Sequence, residues 1–394
     1  MSIESLHIDI IHNIGLLLDL PDLLNLSLSC HNLNLCNNQQ FWRRKYLQDI
    51  NGTYQNHNNA KNEYIDKITV GNLWSWGNNS IGQLGLGDTE CRLIPEQIPN
   101  LEAKLVACGD CHNVIIDRKD NIWIFGNNLS RHAGDYLSIP NLIPGLKASL
   151  VAGGYQSTLL VNCVWISSSK WVENNFWSTL KMLKVKVITG GINLALIDQK
   201  DYVRKDYVWI FGDYEKEENV EKIPNLKATS FACGDGHTAI IDQKNNVLTF
   251  GWNGHGQLGF GDVDCRSIPE RIPNLKATQV SCGYAHTVII DSDNNVYTFG
   301  YNEYGQLGLG DKVDRPTPTL IPNLKAKLVA CGWGHTVIID SDNNVYTFGY
   351  NEYGQLGLGD RKNRPTPIKI PNLKAKLIAC GLYHTVIITS NLKS

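Results

Sequence analysis

The fold is decided by residues 325–373, which read K-A-K-L-V-A-C-G-W-G-H-T-V-I-I-D-S-D-N-N-V-Y-T-F-G-Y-N-E-Y-G-Q-L-G-L-G-D-R-K-N-R-P-T-P-I-K-I-P-N-L. Residues 276–324 have nearly the same sequence. A period of this length indicates a repeat protein, in which each unit is one small structural element that packs against its neighbours. The architecture can therefore be predicted by finding the other copies of this unit.

Less similar copies of the unit occur toward the N-terminus. The Cys-Gly pair of the unit, or a glycine in its place, occurs at Cys108, Gly153, Gly190, Cys233, Cys282, Cys331 and Cys380. The units between about residues 127 and 222 have diverged and lack the Gly-Gln-Leu-Gly stretch. Counting these positions predicts seven units, which we assign to residues 64–394.

Each unit has the pattern of a small antiparallel sheet. In the last complete copy, Ala326–Cys331 is a short apolar run, His335–Ile339 is rich in β-branched residues, and Val345–Phe348 follows a turn. A weaker fourth strand is expected near Pro367–Ile370. The middle strands are apolar on both faces, as expected for sheets stacked between sheets, so the units predict a seven-bladed β-propeller.

The two ends of the repeat region are complementary. The chain stops after His384–Ile388, where a unit would next supply its aromatic-glycine strand. The missing strand is present at the start, as Leu73–Trp76. We therefore expect the propeller to be closed by pairing of its N-terminal and C-terminal strands.

The unit resembles the repeats of the regulator of chromosome condensation family. The matching motifs are Cys-Gly-x-x-His-Thr at Cys331–Thr336, Phe-Gly-x-Asn-x-x-Gly-Gln-Leu-Gly at Phe348–Gly357, and the later prolines Pro365 and Pro367. The resemblance covers residues 71–389 and implies a seven-bladed propeller. It also suggests one possible function, guanine-nucleotide exchange on a Ran-like small GTPase. Exchange requires a wedge, for which residues 167–184 are the only irregular candidate.

Residues 1–50 differ from the rest of the chain. Leucine and isoleucine occur there at helical spacing, which predicts a small helical domain, and residues 51–63 form a polar, asparagine-rich linker. The predicted fold class is therefore α plus all-β. A helical cap on the repeat array would show the same spacing.

The N-terminal segment resembles the F-box family. The matching residues are 6–14, 18–27, Cys30 and 41–43, with departures at His7, where proline is usual, and at Gly15, where a bulky apolar residue is common. The resemblance implies that this domain binds a Skp-type adaptor of a cullin ubiquitin ligase. The implied contact residues are Leu6, Ile10, Ile14, Leu18, Leu23 and Leu26.

Several residue clusters suggest chemistry at first sight. His112, His237, His286, His335 and His384 could form a metal ring, but they recur once per unit and should lie on a circle, each bonded to the backbone of a neighbouring blade. Asp340-x-Asp342-x-Asn344 echoes a calcium loop but lacks its glycine and glutamate, which favours a hairpin turn. We predict no catalytic residue, metal or cofactor.

Recognition should depend on what differs between units. The two residues inside Cys-Gly-x-x-His vary, and they lie in loops that should project from one rim. Tyr155, Tyr284, Trp333 and Tyr383 make this rim aromatic, as in protein-binding hot spots. Tolerance of variation in surface loops would explain the same pattern.

Composition narrows the class of function. A net charge of -2 gives no general attraction to nucleic acid or anionic membranes, and no apolar run has the length of a membrane helix. Regularly spaced cysteines predict a reducing, cytoplasmic or nuclear location, and we expect a monomer. Frequent Asn, Ile and Lys suggest an A+T-rich genome, such as that of an amoebal organism or a large DNA virus acting in its host.

The predicted function is a non-enzymatic ubiquitin-ligase adaptor whose propeller holds the target protein. The alternatives are the exchange factor and a protein-binding scaffold.

Overall fold

Strands account for every element in the described part of the chain. The computed structural model describes residues 70–127, 136–153, 157–161, 165–168, 185–190, 194–199, 206–211, 220–223 and 226–389. Among them, Asn72–Thr389 forms one structural unit. None of the described residues belongs to a helix able to cross a membrane.

The predicted class, α plus all-β, is wrong for the structure as described, which is all-β. The helical prediction rested on apolar spacing in residues 1–50, which lie outside the described residues. Apolar spacing in short segments is a weak indicator, because it does not distinguish a buried helix from a buried strand. The sheets are also open, since each one that the structure describes has two edge strands.

The strands group into blades, which we number along the chain. The first two strands, β1 (Gly71–Gly77) and β2 (Arg92–Ala103), belong to the last blade. Blade 1 consists of β3 (Leu105–Cys108), β4 (His112–Ile116), β5 (Asn121–Asn127) and β6 (Tyr136–Lys147). Blade 2 has three described strands, β7 (Leu150–Gly153), β8 (Ser157–Val161) and β9 (Trp165–Ser168). Blade 3 consists of β10 (Val185–Gly190), β11 (Leu194–Gln199), β12 (Asp206–Phe211) and β13 (Val220–Ile223).

The later blades follow the repeat more closely. Blade 4 consists of β14 (Ala228–Cys233), β15 (His237–Asp242), β16 (Asn246–Gly251) and β17 (Arg266–Lys276). Blade 5 consists of β18 (Gln279–Cys282), β19 (His286–Ile290), β20 (Asn295–Gly300) and β21 (Arg315–Lys325). Blade 6 consists of β22 (Leu328–Cys331), β23 (His335–Ile339), β24 (Asn344–Gly349) and the first part of β25 (Arg364–Cys380).

Blade 7 is built from both ends of the repeat region. It contains the second part of β25, then β26 (His384–Thr389), β1 and β2. β1 pairs antiparallel with β26, from Leu73 opposite Ile388 to Gly77 opposite His384. The predicted pairing of the two terminal strands is therefore present. β25 pairs with both β24 and β26, so blades 6 and 7 share one 7-stranded sheet.

The first strands of successive blades contact one another in a complete circuit, β3, β7, β10, β14, β18, β22, β25 and back to β3. This circuit surrounds a central cavity, lined by the Cys-Gly segments of the described blades, which we call the channel. The second strand of a regular blade, such as β23, is buried along its whole length because another blade covers each of its faces. The fourth strands lie on the outside, and in β21 only Ile321 and Leu324 are buried.

The hydrophobic core lies between blades rather than within one. Phe348 of blade 6 packs with Val288 and Ile290 of blade 5, and Trp76 of blade 7 packs with Val337 of blade 6. The loops that cover these aromatics come very close to them. A Cβ atom at Gly308, where φ is 70°, would lie 2.8 Å from the Phe348 ring, so this position requires glycine.

The hairpin between the second and third strands explains the calcium-like sequence. In blade 6 the Asp340 carboxylate accepts hydrogen bonds from the backbone amides of Asp342 (2.9 Å) and Asn344 (2.8 Å), and Asn343 between them has φ 66°. The carboxylate therefore stabilises a tight turn, as the sequence predicted.

Candidate functional site

Two loops of each regular blade meet at the same end of the blade. One joins the first and second strands and carries the variable pair, and the other joins the third and fourth strands. They lie at one end because antiparallel strands alternate in direction. Backbone hydrogen bonds link them, as from Tyr301 N to Ala285 O (2.9 Å) and from Tyr350 N to Gly334 O (2.8 Å). We call this end of the blades the loop face.

At the centre of the loop face, backbone hydrogen bonds connect one blade to the next. The amide of Tyr284 donates to Trp333 O, that of Trp333 to Leu382 O, and that of Leu382 to Asp110 O, each over 3.2 Å. The amide of Asp235 donates to Tyr284 O over 3.4 Å. These five residues each follow a Cys-Gly pair, and they line the opening of the central cavity. We call them the channel mouth.

The loop face also carries a continuous group of aromatic rings, supplied by blades 4 to 7. We define the aromatic cluster as Trp252, His255, Tyr284, Tyr301, Tyr304, Trp333, Tyr350, Tyr353 and Tyr383. Trp333 lies in its middle, with ring centroids 5.5 Å from Tyr284 and 5.6 Å from Tyr304, Tyr350 and Tyr383. These distances and the tilted or edge-on angles are favourable for aromatic pairs.

Carboxylates bond the polar groups of three of these rings. The Tyr350 hydroxyl donates to Glu352 over 2.7 Å, and the Tyr301 hydroxyl donates to Glu303. His255 Nδ1 lies 2.8 Å from an Asp314 carboxylate oxygen. Burial and the neighbouring glutamate both raise the pKa of Tyr350 and of Tyr301 well above the usual value. The phenols are therefore neutral at physiological pH, and the formal charges beside them are negative.

Two further carboxylates lie at the channel mouth. Burial, with the negative charge of Asp235 as a smaller cause, raises the pKa of Asp110 to about 8. Burial also raises the pKa of Asp235. Among the described residues, neither side chain has a hydrogen-bond or ion-pair partner. The channel mouth thus contains two carboxyl groups whose ionised forms lack a counterion there.

The structure brings together three of the four predicted rim residues. The predicted rim residues Tyr284, Trp333 and Tyr383 come together in the aromatic cluster, whereas Tyr155 lies outside the described residues. The proposed Skp contacts Leu6, Ile10, Ile14, Leu18, Leu23 and Leu26 also lie outside them. Sequence reasoning missed the tyrosines of the second loop, because Tyr-Asn-Glu-Tyr repeats in two units and recognition was expected only at residues that differ between units.

The histidines are structural, as predicted, but their partners differ from the prediction. Nε2 of His237 lies 2.9 Å from Thr287 Oγ1 in the next blade, and Nε2 of His286 lies 3.1 Å from Thr336 Oγ1. Each therefore bonds a neighbouring side chain rather than backbone, because the threonine oxygen projects directly between the blades. No group of three potential metal ligands occurs among the described residues.

The described cysteines are free thiols. Burial raises the pKa of those beside the channel, including Cys108, Cys233 and Cys331, so they stay protonated. Protonated, buried thiols are poor nucleophiles and poor metal ligands.

Two family models match the chain. The model described as the RCC1-like domain matches residues 185–391, and the model described as the regulator of chromosome condensation (RCC1) repeat matches residues 70–116. Neither match includes residues 1–50, so neither supports the F-box interpretation.

Individual relatives are similar over the later repeats. The chain is 29% identical to "Protein RCC2 homolog" of Danio rerio over 206 residues, covering 48% of this chain and 40% of the relative. It is 27% identical to "Protein RCC2" of Homo sapiens over 206 residues, covering 48% of this chain and 38% of the relative. The similarity thus spans about two fifths of these relatives' length. These relatives give no support to a viral origin.

Among solved structures, the chain resembles Prp20p from Saccharomyces cerevisiae. The TM-score is 0.69 at 20% sequence identity, covering 86% of this chain and 95% of that chain. At this identity the similarity shows a shared fold.

Proposed function

Because this chain belongs to the RCC1-like domain family, we propose that it is a non-catalytic protein-binding propeller whose loop face holds a partner protein. The observation that carries the proposal is the aromatic cluster. Tyrosine and tryptophan are enriched in the residues that contribute most to protein interfaces, since they provide large, rigid contact area with a polar tip.

The cluster is accessible in part. Trp252 is 39% exposed, and Tyr284, Trp333, Tyr353 and Tyr383 are partly exposed. Their loops are held by the hydrogen bonds to the neighbouring loop and blade, so the rings are ordered before a partner arrives. Preorganisation reduces the entropy lost on binding, which favours a recognition role over simple tolerance of variation.

The chemistry of the described residues also favours binding. The repeated histidines are buried and engaged between blades, and burial lowers the pKa of His286 and His335 to about 3. They are therefore poorly suited to act as general bases near neutral pH. The free thiols beside the channel are protonated, as described above.

The proposal is tested by comparing captured proteins across variants. The full chain, Trp333→Ala and Tyr383→Ala are used as baits in cell extract, with Tyr136→Ala as a matched control, because Tyr136 is exposed outside the cluster. Each bait is first checked for an unchanged melting temperature. We expect proteins retained by wild type and the control to be lost from both cluster variants. Retention of the same proteins by all four baits would contradict the proposal.

A second candidate is binding to, or exchange on, a Ran-like GTPase. Prp20p, which shares the fold, has been studied for its binding properties to Gsp1p and histones. The two described units between residues 276 and 373 have loops of equal length, so neither contains an inserted wedge. Of the wedge candidate 167–184, residues 169–184 lie outside the described residues. Release of a fluorescent guanine nucleotide from Ran, measured with and without the chain, tests this candidate. An unchanged release rate would eliminate exchange.

The ubiquitin-ligase adaptor is not part of the proposal. It depended on an F-box in residues 1–50 and on Skp and cullin partners, and the family matches support only the propeller. The cytoplasmic or nuclear location and the monomeric state stay predictions.

A further inference from the structure

We propose that the channel mouth is a binding site for a basic side chain, lysine or arginine, carried by an exposed segment of the partner protein. The cation would lie between the carboxylates of Asp110 and Asp235, against the rings of Tyr284 and Trp333. This inference rests on the proposed function, since it specifies what kind of partner the loop face takes.

The position of these groups supports the site. Asp110, Asp235, Tyr284 and Trp333 all line the opening of one cavity, and the interblade backbone hydrogen bonds fix their spacing. Aromatic faces attract ammonium and guanidinium groups through the ring quadrupole, and the attraction increases where water is excluded. Two aromatic rings and two carboxylates at one opening therefore provide both cation–π attraction and charge–charge attraction for a single cation.

The charge around the site has the complementary sign. Asp110 and Asp235 have no cationic partner among the described residues, and Glu303, Glu352 and Asp314 lie farther out beside the aromatic cluster. Guanidinium groups described beside these outer carboxylates are already bonded, that of Arg361 to the backbone oxygen of Glu352 over 2.9 Å and that of Arg315 to the Asp311 carboxylate over 2.5 Å. An anionic ligand would meet repulsion at the mouth, whereas a basic segment would be attracted to it.

The state of Asp110 also points to a missing counterion. Its pKa of about 8 means that its charge is unfavourable without a ligand. The titratable groups described around it are Asp235, Cys111 and Tyr383, none of which is a cation. A bound ammonium or guanidinium would favour the ionised carboxylate, so binding should release a proton near neutral pH.

Other ligand classes fit less well. A metal ion is disfavoured because no group of three potential ligands occurs among the described residues. A purely apolar ligand would bury both carboxyl groups without a partner, which costs free energy.

The test uses the full chain and short capped peptides of alternating arginine and glycine, lysine and glycine, or glutamate and glycine. Binding is followed by titration calorimetry and by tryptophan fluorescence. The variant is Asp110→Asn with Asp235→Asn. The matched control is Asp293→Asn with Asp342→Asn, because these exposed aspartates make the same charge change in the hairpins at the opposite end of the blades.

We expect the basic peptides to bind wild type and the control, and to bind the mouth variant about thirtyfold or more weakly. Binding to wild type should release protons when measured in buffers of different ionisation enthalpy. Equal binding of the acidic peptide, or unchanged binding by the mouth variant, would overturn the inference. If no basic peptide binds but Trp333→Ala still loses the captured proteins, the inference fails and the proposed function stands.

Discussion

Nε2 of His335 in blade 6 lies 3.1 Å from Oγ1 of Thr385 in blade 7. The same hydroxyl donates to the backbone oxygen of Gln355 over 3.0 Å, and a carbonyl can only accept. The hydroxyl proton is thus already used, so His335 must donate its Nε2 proton to Thr385. This relationship fixes the tautomer of the imidazole and leaves Nδ1 as an acceptor, which has no hydrogen-bond partner among the described residues.

At the junction of blades 7 and 1 an asparagine takes the place of threonine. Nε2 of His384 lies 2.9 Å from Oδ1 of Asn113. An amide oxygen can only accept, so this histidine also donates from Nε2. The repeated histidines therefore form a set of directional bonds between blades.

Removing one hydroxyl from this set should destabilise the protein. Thr336→Val keeps the side-chain shape but leaves the buried donor of His286 and the oxygen of Gln306 without their partner. We expect a loss of about 1–3 kcal/mol, the usual cost of an unsatisfied buried polar group, seen as a lower urea midpoint. Thr336→Ser is the control, because serine retains the hydroxyl. Equal urea midpoints for Thr336→Val and wild type would show that the hydrogen bond between His286 and Thr336 does not contribute to stability.

Acid should unfold the propeller through these histidines. Burial lowers the pKa of His237 to about 4 and that of His286 and His384 to about 3, compared with 6.5 in the unfolded chain. Between those values the unfolded state binds more protons, so stability is full above pH 6.5 and falls as pH decreases. Each histidine contributes up to ~1.4 kcal/mol per pH unit. Melting temperatures between pH 7 and pH 4 should fall, and His286→Gln should reduce the slope of that fall.

The carboxyl group of Asp110 should change the stability with pH in the opposite direction to the histidines. Its pKa is 3.8 as a free side chain and about 8 in the folded protein, so the folded state holds the extra proton and stability decreases as pH rises between these values. Asp110→Asn should therefore raise the melting temperature at pH 8 and leave it unchanged near pH 3. Calorimetry on this variant and on Asp293→Asn measures the difference. No gain at pH 8 would mean that the carboxyl group is well solvated.

Blade 7 should be essential for cooperative folding. Ending the chain after Ala375 removes β26, so that β1 loses one of its two pairing partners and Trp76 loses its contact with Ile387. We expect a broad, non-cooperative melt by circular dichroism. A chain ending after Thr389 is the control, because it retains every strand that the structure describes. A sharp transition in the shorter chain would show that blade 7 is dispensable.

The regular blades were predictable from the sequence because each strand has a local signature. His335–Ile339 is β-branched and the Asp340 turn has a defined chemistry, so the order of strands follows from one unit. The terminal pairing was predictable because β1 supplies the one strand that the last unit lacks. The helical class was not, since leucine spacing in residues 1–50 constrains the element type weakly.

The candidate site was predictable only in part, for a geometric reason. Trp333 and Tyr383 differ between units, so variation identified them. Tyr304 and Tyr350 repeat in sequence, and their contact of 4.8 Å across blades depends on how blades stack. Asp110 and Asp235 belong to blades 1 and 4, and the closed circuit of first strands is what brings them to one opening.

The pairing of β1 with β26 has a mechanical consequence. The start of β1 lies beside the end of β26, and Thr389 donates its hydroxyl proton to Asn72 O over 3.2 Å at that end. A force pulling the two ends of the propeller apart would load this first bond alone, then the next, as in opening a zipper. Shearing would instead load the whole ladder at once. The force that separates β1 from β26 should therefore be small when it is applied through the two ends of the propeller, even though the same pairing helps to stabilise the fold against heat.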